Sequence, residues 1–184
     1  MPASVTPREA ETPEALVSVI TGSASDLPDV SPAIEVLDQF GVTYELRVLS
    51  AHRTPEETVE YVRSAQTRGA RVFICAAGMA AHLAGTVAAH TTRPVIGVPM
   101  GGGLMGGLDA LLSTVQMPPG VPVLTTAVGK GGATNAALGA IQILALSDEG
   151  LADRLVAYKR QMKEKTLAND RRLQEKGIDN YGRD

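Results

Sequence analysis

Short apolar runs alternate along this chain with stretches of helical spacing, and that alternation leaves few folds open. Leu16 to Thr21 is a compact apolar run that stops at Gly22, the pattern of a strand buried on both faces. Val42 to Leu49, Arg71 to Ala77 and Pro94 to Val98 read as three more strands, and Pro122 to Val128 as a weaker fifth. After the first strand, Val30, Ile34, Leu37 and Phe40 recur at helical spacing; Gly41 ends that helix, and Pro28 and Pro32 make its start late or irregular. Thr54-Pro55-Glu56-Glu57 supplies an N-cap, a first-turn proline and a capping-box glutamate. A second helix therefore starts near Pro55, turns Val59 and Val62 inward and stops at Gly69. Ala133 to Leu146 is an alanine-rich helix, apolar almost all round, to be buried by the sheet or by another subunit. Ser147 can cap a last helix, with Asp148 and Glu149 in its first turn and Leu151, Leu155, Tyr158 and Met162 along one face.

Strand and helix alternating through five rounds, with short connections, predict an α/β fold: a three-layer, flavodoxin-like, doubly wound parallel sheet with an extra C-terminal helix. A length of 184 residues with 44% hydrophobic content suits one domain. Residues 1–15, with Pro2, Pro7 and Pro13 and no apolar core of a signal peptide, read as a flexible tail. Residues 16–169 read as a single α/β domain that includes the last helix, and residues 170–184, charged and patternless, as a second flexible tail. No window has the unbroken apolar length of a membrane span. Lys+Arg 17 against Asp+Glu 20, no tryptophan and 3% aromatic residues give neither the field nor the stacking surface that nucleic acid needs. The one cysteine, Cys75, cannot form an internal disulfide, which suits a reducing compartment and a cytoplasmic location.

In open parallel sheets, ligands bind outside the carboxyl ends of the strands, so the residues just after each strand carry the chemistry. The first such segment, Gly22-Ser23-Ala24-Ser25-Asp26, offers close backbone approach, two hydroxyls and a carboxylate, a set suited to phosphate and ribose hydroxyls. Ser25 or Asp26 could equally serve as a helix cap, and spacing does not choose between the two. After the second strand, Ser50-Ala51-His52-Arg53 brings a hydroxyl, an imidazole and a guanidinium to a helix N-terminus, which favours phosphate binding and acid–base chemistry over an ordinary surface role. After the third, Gly78-Met79-Ala80-Ala81-His82-Leu83 leaves room for a planar ligand and adds a second imidazole. His82 is as readily a helix-face histidine meeting a backbone carbonyl, and His90 reads as structural.

Two glycine-rich runs do not carry the chemistry their spelling suggests. Gly101-Gly102-Gly103-Leu104-Met105-Gly106 matches G-x-G-x-x-G but follows the fourth strand, whereas a dinucleotide fingerprint belongs after the first; it reads as a loop near the site. Gly129-Lys130-Gly131 lacks the Ser or Thr that ends a phosphate-binding P-loop, with Leu124 where its first glycine belongs. His52, His82, His90 and Cys75 show no metal-ligand spacing, so no metal is expected, and no G-x-S-x-G nucleophile motif is present. A receiver-type signalling domain would want an aspartate where the third strand ends in Ala76-Ala77-Gly78, and a flavin site would want aromatic residues that the strand-end loops lack. Histidine acid–base chemistry is what remains.

Taken together, Gly22-Ser-Ala-Ser-Asp26, Ser50-Ala-His-Arg-Thr-Pro55, Ala80-Ala-His-Leu83, Val115-Gln-Met-Pro118 and Asn135-Ala-Ala-Leu138 resemble, in order, the N5-carboxyaminoimidazole ribonucleotide mutase family, also described as the catalytic subunit of phosphoribosylaminoimidazole carboxylase. The resemblance runs from about Val17 to Tyr158. It implies a cytoplasmic homo-octamer of flavodoxin-like subunits, with sites at subunit junctions and the C-terminal helix packed on a neighbour. It implies an isomerase of purine (IMP) biosynthesis that moves a carboxyl group from the exocyclic nitrogen of aminoimidazole ribonucleotide to its ring carbon, without metal or other cofactor. Ser23, Ser25, Ser50 and Arg53 would hold the phosphate, with Ala51 beside them, and Asp26 the ribose hydroxyls. His52 would be the acid–base catalyst, and Gly78, Ala80, His82 and Leu83 would shape the pocket for imidazole and carboxylate, His82 as the second histidine of the reaction. A related branch carboxylates aminoimidazole ribonucleotide directly with CO2 and tends to carry Ser-Ala-His-Lys; Arg53 and Ala80-Ala-His-Leu83 resemble the mutase branch, which leaves direct carboxylation second. The chain departs from the family pattern at Ala24, often lysine, at Met79, often glycine, and at Gly101 to Gly107, normally richer in serine and alanine.

Overall fold

All five expected strands form in the computed structural model, which describes residues 15–181. They are β1 (Val17–Thr21), β2 (Tyr44–Val48), β3 (Val72–Ala77), β4 (Val95–Pro99) and β5 (Leu124–Thr125), paired in parallel in the order β2-β1-β3-β4-β5. The connecting helices are α1 (Leu27–Gln39), α2 (Pro55–Thr67), α3 (Leu83–Ala89), α4 (Leu108–Val115) and α5 (Lys130–Ala145), followed by α6 (Glu149–Lys176). The described residues divide into two compact units, one ending at Ile143 and the other beginning at Leu144. None of the described helices is long and apolar enough to cross a membrane.

Period-two alternation explains the layers. Ile20, Phe73, Cys75 and Val95 point to one face of the sheet, where they pack with Tyr61, Val62 and Ala65 of α2 and Leu83, Ala84 and Val87 of α3. The opposite face presents Ile96 toward Gly139 of α5. Because parallel crossovers are right-handed, the step from β1 out to β2 puts α1 on the face opposite α2, and the Lys130–Asp29 ion pair at 3.9 Å joins the starts of α5 and α1 on that side. β1 and β4 are buried along their whole length, as strands covered on both faces must be. Cys75 is buried in β3, where loss of water pushes its thiol far up from the ordinary range.

Helix α2 is tied to the sheet by polar contacts as well as apolar ones. The Tyr61 hydroxyl lies 2.9 Å from Ser18 Oγ on β1 and donates to Glu45 Oε2 on β2 at 2.8 Å; Arg68 closes on the same carboxylate at 2.7 Å. Burial raises the Tyr61 phenol to about 12, with Glu45 pushing the same way. Burial also raises Glu45, but the bonds from Tyr61 and Arg68 and the charge of Arg47 outweigh it and hold the carboxyl below its usual range.

Several expectations needed correction. Helix α1 begins at Leu27 with Pro28 in its first turn and keeps Pro32 inside, and Gly41 ends it at φ +64, a conformation open to glycine. Helix α2 buries Thr58, Tyr61, Val62 and Ala65, so Val59 is not its inward residue. The fifth strand shrinks to Leu124–Thr125, since Pro118, Pro119 and Pro122 remove backbone donors and interrupt any longer ladder. Helix α4 had no place in the sequence reading; its start hides behind a glycine run, although Leu108, Leu111, Leu112 and Val115 recur at helical spacing. Asp148, not Ser147, caps α6, its Oδ1 accepting from the Leu151 N–H at 3.0 Å. That helix runs to Lys176, well into the expected C-terminal tail, because residues 170–176 contain no Gly or Pro and are mostly good helix formers. Of the expected tails, residues 1–14 and 182–184 lie outside the described residues.

Helix α4 packs on β4 through small residues. A Cβ at Gly97 would stand 2.4 Å from Thr114 Cγ2, 3.0 Å from Val123 Cγ1 and 3.3 Å from Ala84 Cβ. Gly97→Ala is therefore expected to destabilise the fold by about 1–3 kcal/mol through overpacking. Thermal unfolding measures this, and Thr114→Ala in the same background should recover part of the loss.

Candidate active site

The site is assembled from the segments that follow β1, β2, β3 and β4. After β1 the Gly22 N–H donates to Ala76 O at 3.0 Å, keeping the chain in the sheet for one more residue before it turns at Ser23. A 3-10 turn, Ala24–Asp26, leads into α1, and Ser23 caps it: Ser23 Oγ accepts from the Ser25 N–H at 3.3 Å and lies 2.8 Å from Ser25 Oγ. Asp26 occupies the N-cap position of α1, yet its carboxylate makes no cap hydrogen bond and accepts only a long one, 3.4 Å, from Ser25 Oγ. Capping thus falls to Ser23, and the Asp26 carboxylate is left for the cleft.

After β2 the chain makes one tight turn before α2. Ser50 Oγ gathers three donors, the N–H groups of His52 and Arg53 at 3.4 and 3.3 Å and Arg53 Nε at 3.5 Å. Arg53 Nη2 donates to Gly22 O at 2.6 Å, which links this loop to the one after β1. Thr54 is the N-cap of α2 by position only; its hydroxyl makes no cap bond and turns back to Ser50, so the expected capping box is not formed.

After β3 the backbone passes through Met79 at φ +55 and reaches His82, the N-cap of α3. A left-handed backbone strains a side chain as long as methionine by about 1–3 kcal/mol and leaves glycine unstrained, which gives the Met79 departure its physical meaning. His82 is thus no helix-face histidine. Its Nδ1 lies 2.8 Å from His52 Nε2, with the rings edge-on at 78° and their centroids 4.9 Å apart. One nitrogen of that contact carries the hydrogen and the other offers a lone pair, so the two imidazoles share a single proton. His90 ends α3 and takes no part. After β4, Gly101 to Gly103 form another wall, fixed by Asp109 Oδ2, which accepts from the Leu104 N–H at 3.0 Å; a Cβ on Gly103 would meet that oxygen at 2.4 Å.

These segments enclose an open cleft of about 770 Å³, a volume suited to a nucleotide. Ser23, Ser25 and Asp26 line it from one side, Ser50, Ala51, His52 and Arg53 from the next, and Gly78, Ala80, His82 and Leu83 from the third, so every expected site residue meets there. Asp29 lines it too and was missed; it lies one turn beyond Asp26, and only that spacing could have pointed to it. The motif segments around Gln116 and Asn135 belong to the end of α4 and to α5 and do not line this cleft.

Partial burial pushes the Asp26 carboxyl up from its usual range; Asp29 adds to the rise, while the Ser25 hydroxyl and Arg53 oppose it. A carboxyl raised in the folded state makes the fold less stable while it is ionised, and the loss is recovered as pH falls through the raised value. Asp26→Asn should therefore melt at or above the wild-type temperature at pH 7, and the difference should shrink on acidification. Melting curves across that range test the sign.

A family model described as AIR carboxylase matches residues 16–165. The N5-carboxyaminoimidazole ribonucleotide mutase of Methanocaldococcus jannaschii is 50% identical over 160 residues, covering 87% of this chain and 98% of that protein. The protein of the same name from Bacillus subtilis is 49% identical over 158 residues, 86% of this chain and 98% of its own length. Among solved structures, Treponema denticola PurE superposes with a TM-score of 0.78 at 28% identity, covering 85% of this chain and 97% of that one. With sheet order, cleft and sequence in agreement, the chain belongs to the AIR carboxylase family.

Proposed function

We propose that this chain converts N5-carboxyaminoimidazole ribonucleotide to 4-carboxy-5-aminoimidazole ribonucleotide in purine biosynthesis, as an isomerase that uses no cofactor. The observation that carries the reading is the joined imidazole pair, His52 and His82, in a nucleotide-sized cleft whose far side is built from serine hydroxyls, Asp26 and Arg53. Relatives of nearly the same length bearing that name at about half identity support it. The family-model span of residues 16–165 supports treating 16–169 as one catalytic domain.

In this reading Ser23, Ser25, Ser50 and Arg53 hold the phosphate, with Ala51 alongside, and Asp26 takes the ribose hydroxyls. Ser50 Oγ already accepts from backbone and guanidinium, so its own proton is free for a phosphate oxygen. Gly78, Ala80 and Leu83 bound the space for the imidazole ring. The carbamate carbon–nitrogen bond breaks, releasing CO2 while its electron pair returns to nitrogen, and His52 supplies the proton that makes the amine. The electron-rich ring carbon then captures CO2, and the same histidine removes the proton from that carbon as aromaticity returns. One proton given and one taken leave His52 as it began, with His82 holding the ring and sharing the proton. In this reading the bound nucleotide fills the open cleft and keeps water away from the ring, so that CO2 is captured before it escapes between the two steps.

His52→Asn should lower kcat by about 10²- to 10⁴-fold with nucleotide affinity nearly kept. Turnover within a few-fold of wild type would sink the assignment. Supplying the carbamate to one sample, and aminoimidazole ribonucleotide with bicarbonate to another, both without ATP, separates mutase from direct carboxylation: the first should react and the second lag. We further propose a cytoplasmic homo-octamer; Leu108, Leu112 and Val115, exposed along α4, support self-association, and the count of eight and the location rest on the family resemblance alone. Light scattering should then return about eight times the 19.2 kDa chain mass; a monomer or dimer at micromolar concentration would refute it.

A further inference from the structure

We infer that Thr54, which lies outside the cleft lining, is a positioning residue that sets the geometry of His52 and Arg53 through Ser50. The inference rests on the reading of His52 and Arg53 as the groups that meet substrate. Thr54 Oγ1 accepts from the Ser50 N–H at 2.9 Å and donates to Ser50 O at 3.2 Å, and the Thr54 N–H donates to the same oxygen at 2.9 Å. Both backbone polar groups of Ser50 are thus fixed by one residue. Ser50 Oγ in turn receives the N–H groups of His52 and Arg53, so the contacts form two tiers.

The outer tier is anchored in the helix. Buried Thr58 donates its hydroxyl to Thr54 O at 2.7 Å, one turn into α2, and α2 is itself bound to β1 and β2 through Tyr61. A path of hydrogen bonds therefore runs from the helix through Thr54 and Ser50 to the catalytic loop. A threonine at an N-cap ordinarily accepts from the second or third helical N–H, and here that bond is forgone. The hydroxyl must both donate and accept to do what it does, which serine can copy and aspartate or valine cannot.

The experiment compares Thr54→Val, Thr54→Ser and Thr54→Asp in the full chain, by turnover of the carbamate, by calorimetric binding of aminoimidazole ribonucleotide and by amide hydrogen exchange. Thr54→Val should lower kcat by about 10- to 100-fold with a smaller rise in KM, since a misplaced catalytic group loses rate on that scale. Thr54→Ser should restore kcat to within about twofold, and Thr54→Asp should stay as slow as Thr54→Val although it is an excellent cap. Exchange should quicken at the His52 and Arg53 amides, which Thr54 does not touch. If Thr54 served only the helix, exchange would quicken at Glu56 and Glu57 and Thr54→Asp would recover the rate; either result overturns the inference, as does a Thr54→Val enzyme within twofold of wild type. A wild-type chain without turnover would instead refute the proposed reaction, and the exchange pattern would still decide the role of Thr54.

Discussion

Parallel pairing makes every strand of this sheet end on the same edge, and the order β2-β1-β3-β4-β5 reverses direction on leaving β1. The loop after β1 and the loop after β3 must then part to opposite faces, and a crevice opens between them. The rest of the site follows from that constraint. Arg53 ties the loop after β2 to the loop after β1 at Gly22 O, and His52 reaches across to His82 after β3, so each loop is steadied by its neighbour as well as by its own side chains.

The fold was legible where burial was complete. β1, β3 and β4 are covered on both faces, which forces an apolar run, and the run itself marks the strand. The edges were harder: β5 was overextended because prolines permit extended backbone without permitting a ladder, and α4 was unseen because a glycine run precedes it. In the last stretch of α6, residues 170–176, the missing apolar pattern meant that no residue is buried, not that the helix ends.

Which residues line the cleft was legible and their mutual distances were not. Strand ends named the loops, and residue types within them suggested phosphate and acid–base groups. That His52 and His82, thirty residues apart, meet at 2.8 Å depends on two separate turns, one of them through a left-handed methionine. Nor could spacing show that the Thr54 hydroxyl abandons its cap, since the same Thr-Pro-Glu-Glu spelling fits both arrangements. Hydrogen bonds between loops are tertiary facts, and local sequence carries no record of them.

Strand β3 holds the chain's sole cysteine, and its burial has a practical side. A thiol kept neutral and out of water neither attacks alkylating reagents nor takes up oxidants, because the anion is the reactive form and needs access. To thiol-directed reagents the folded chain is silent. A cysteine introduced at Gly101, where an added Cβ meets nothing closer than 3.8 Å, would accordingly be the only thiol to answer, and a fluorophore or spin label attached there would report that wall's position with no background from the native sequence.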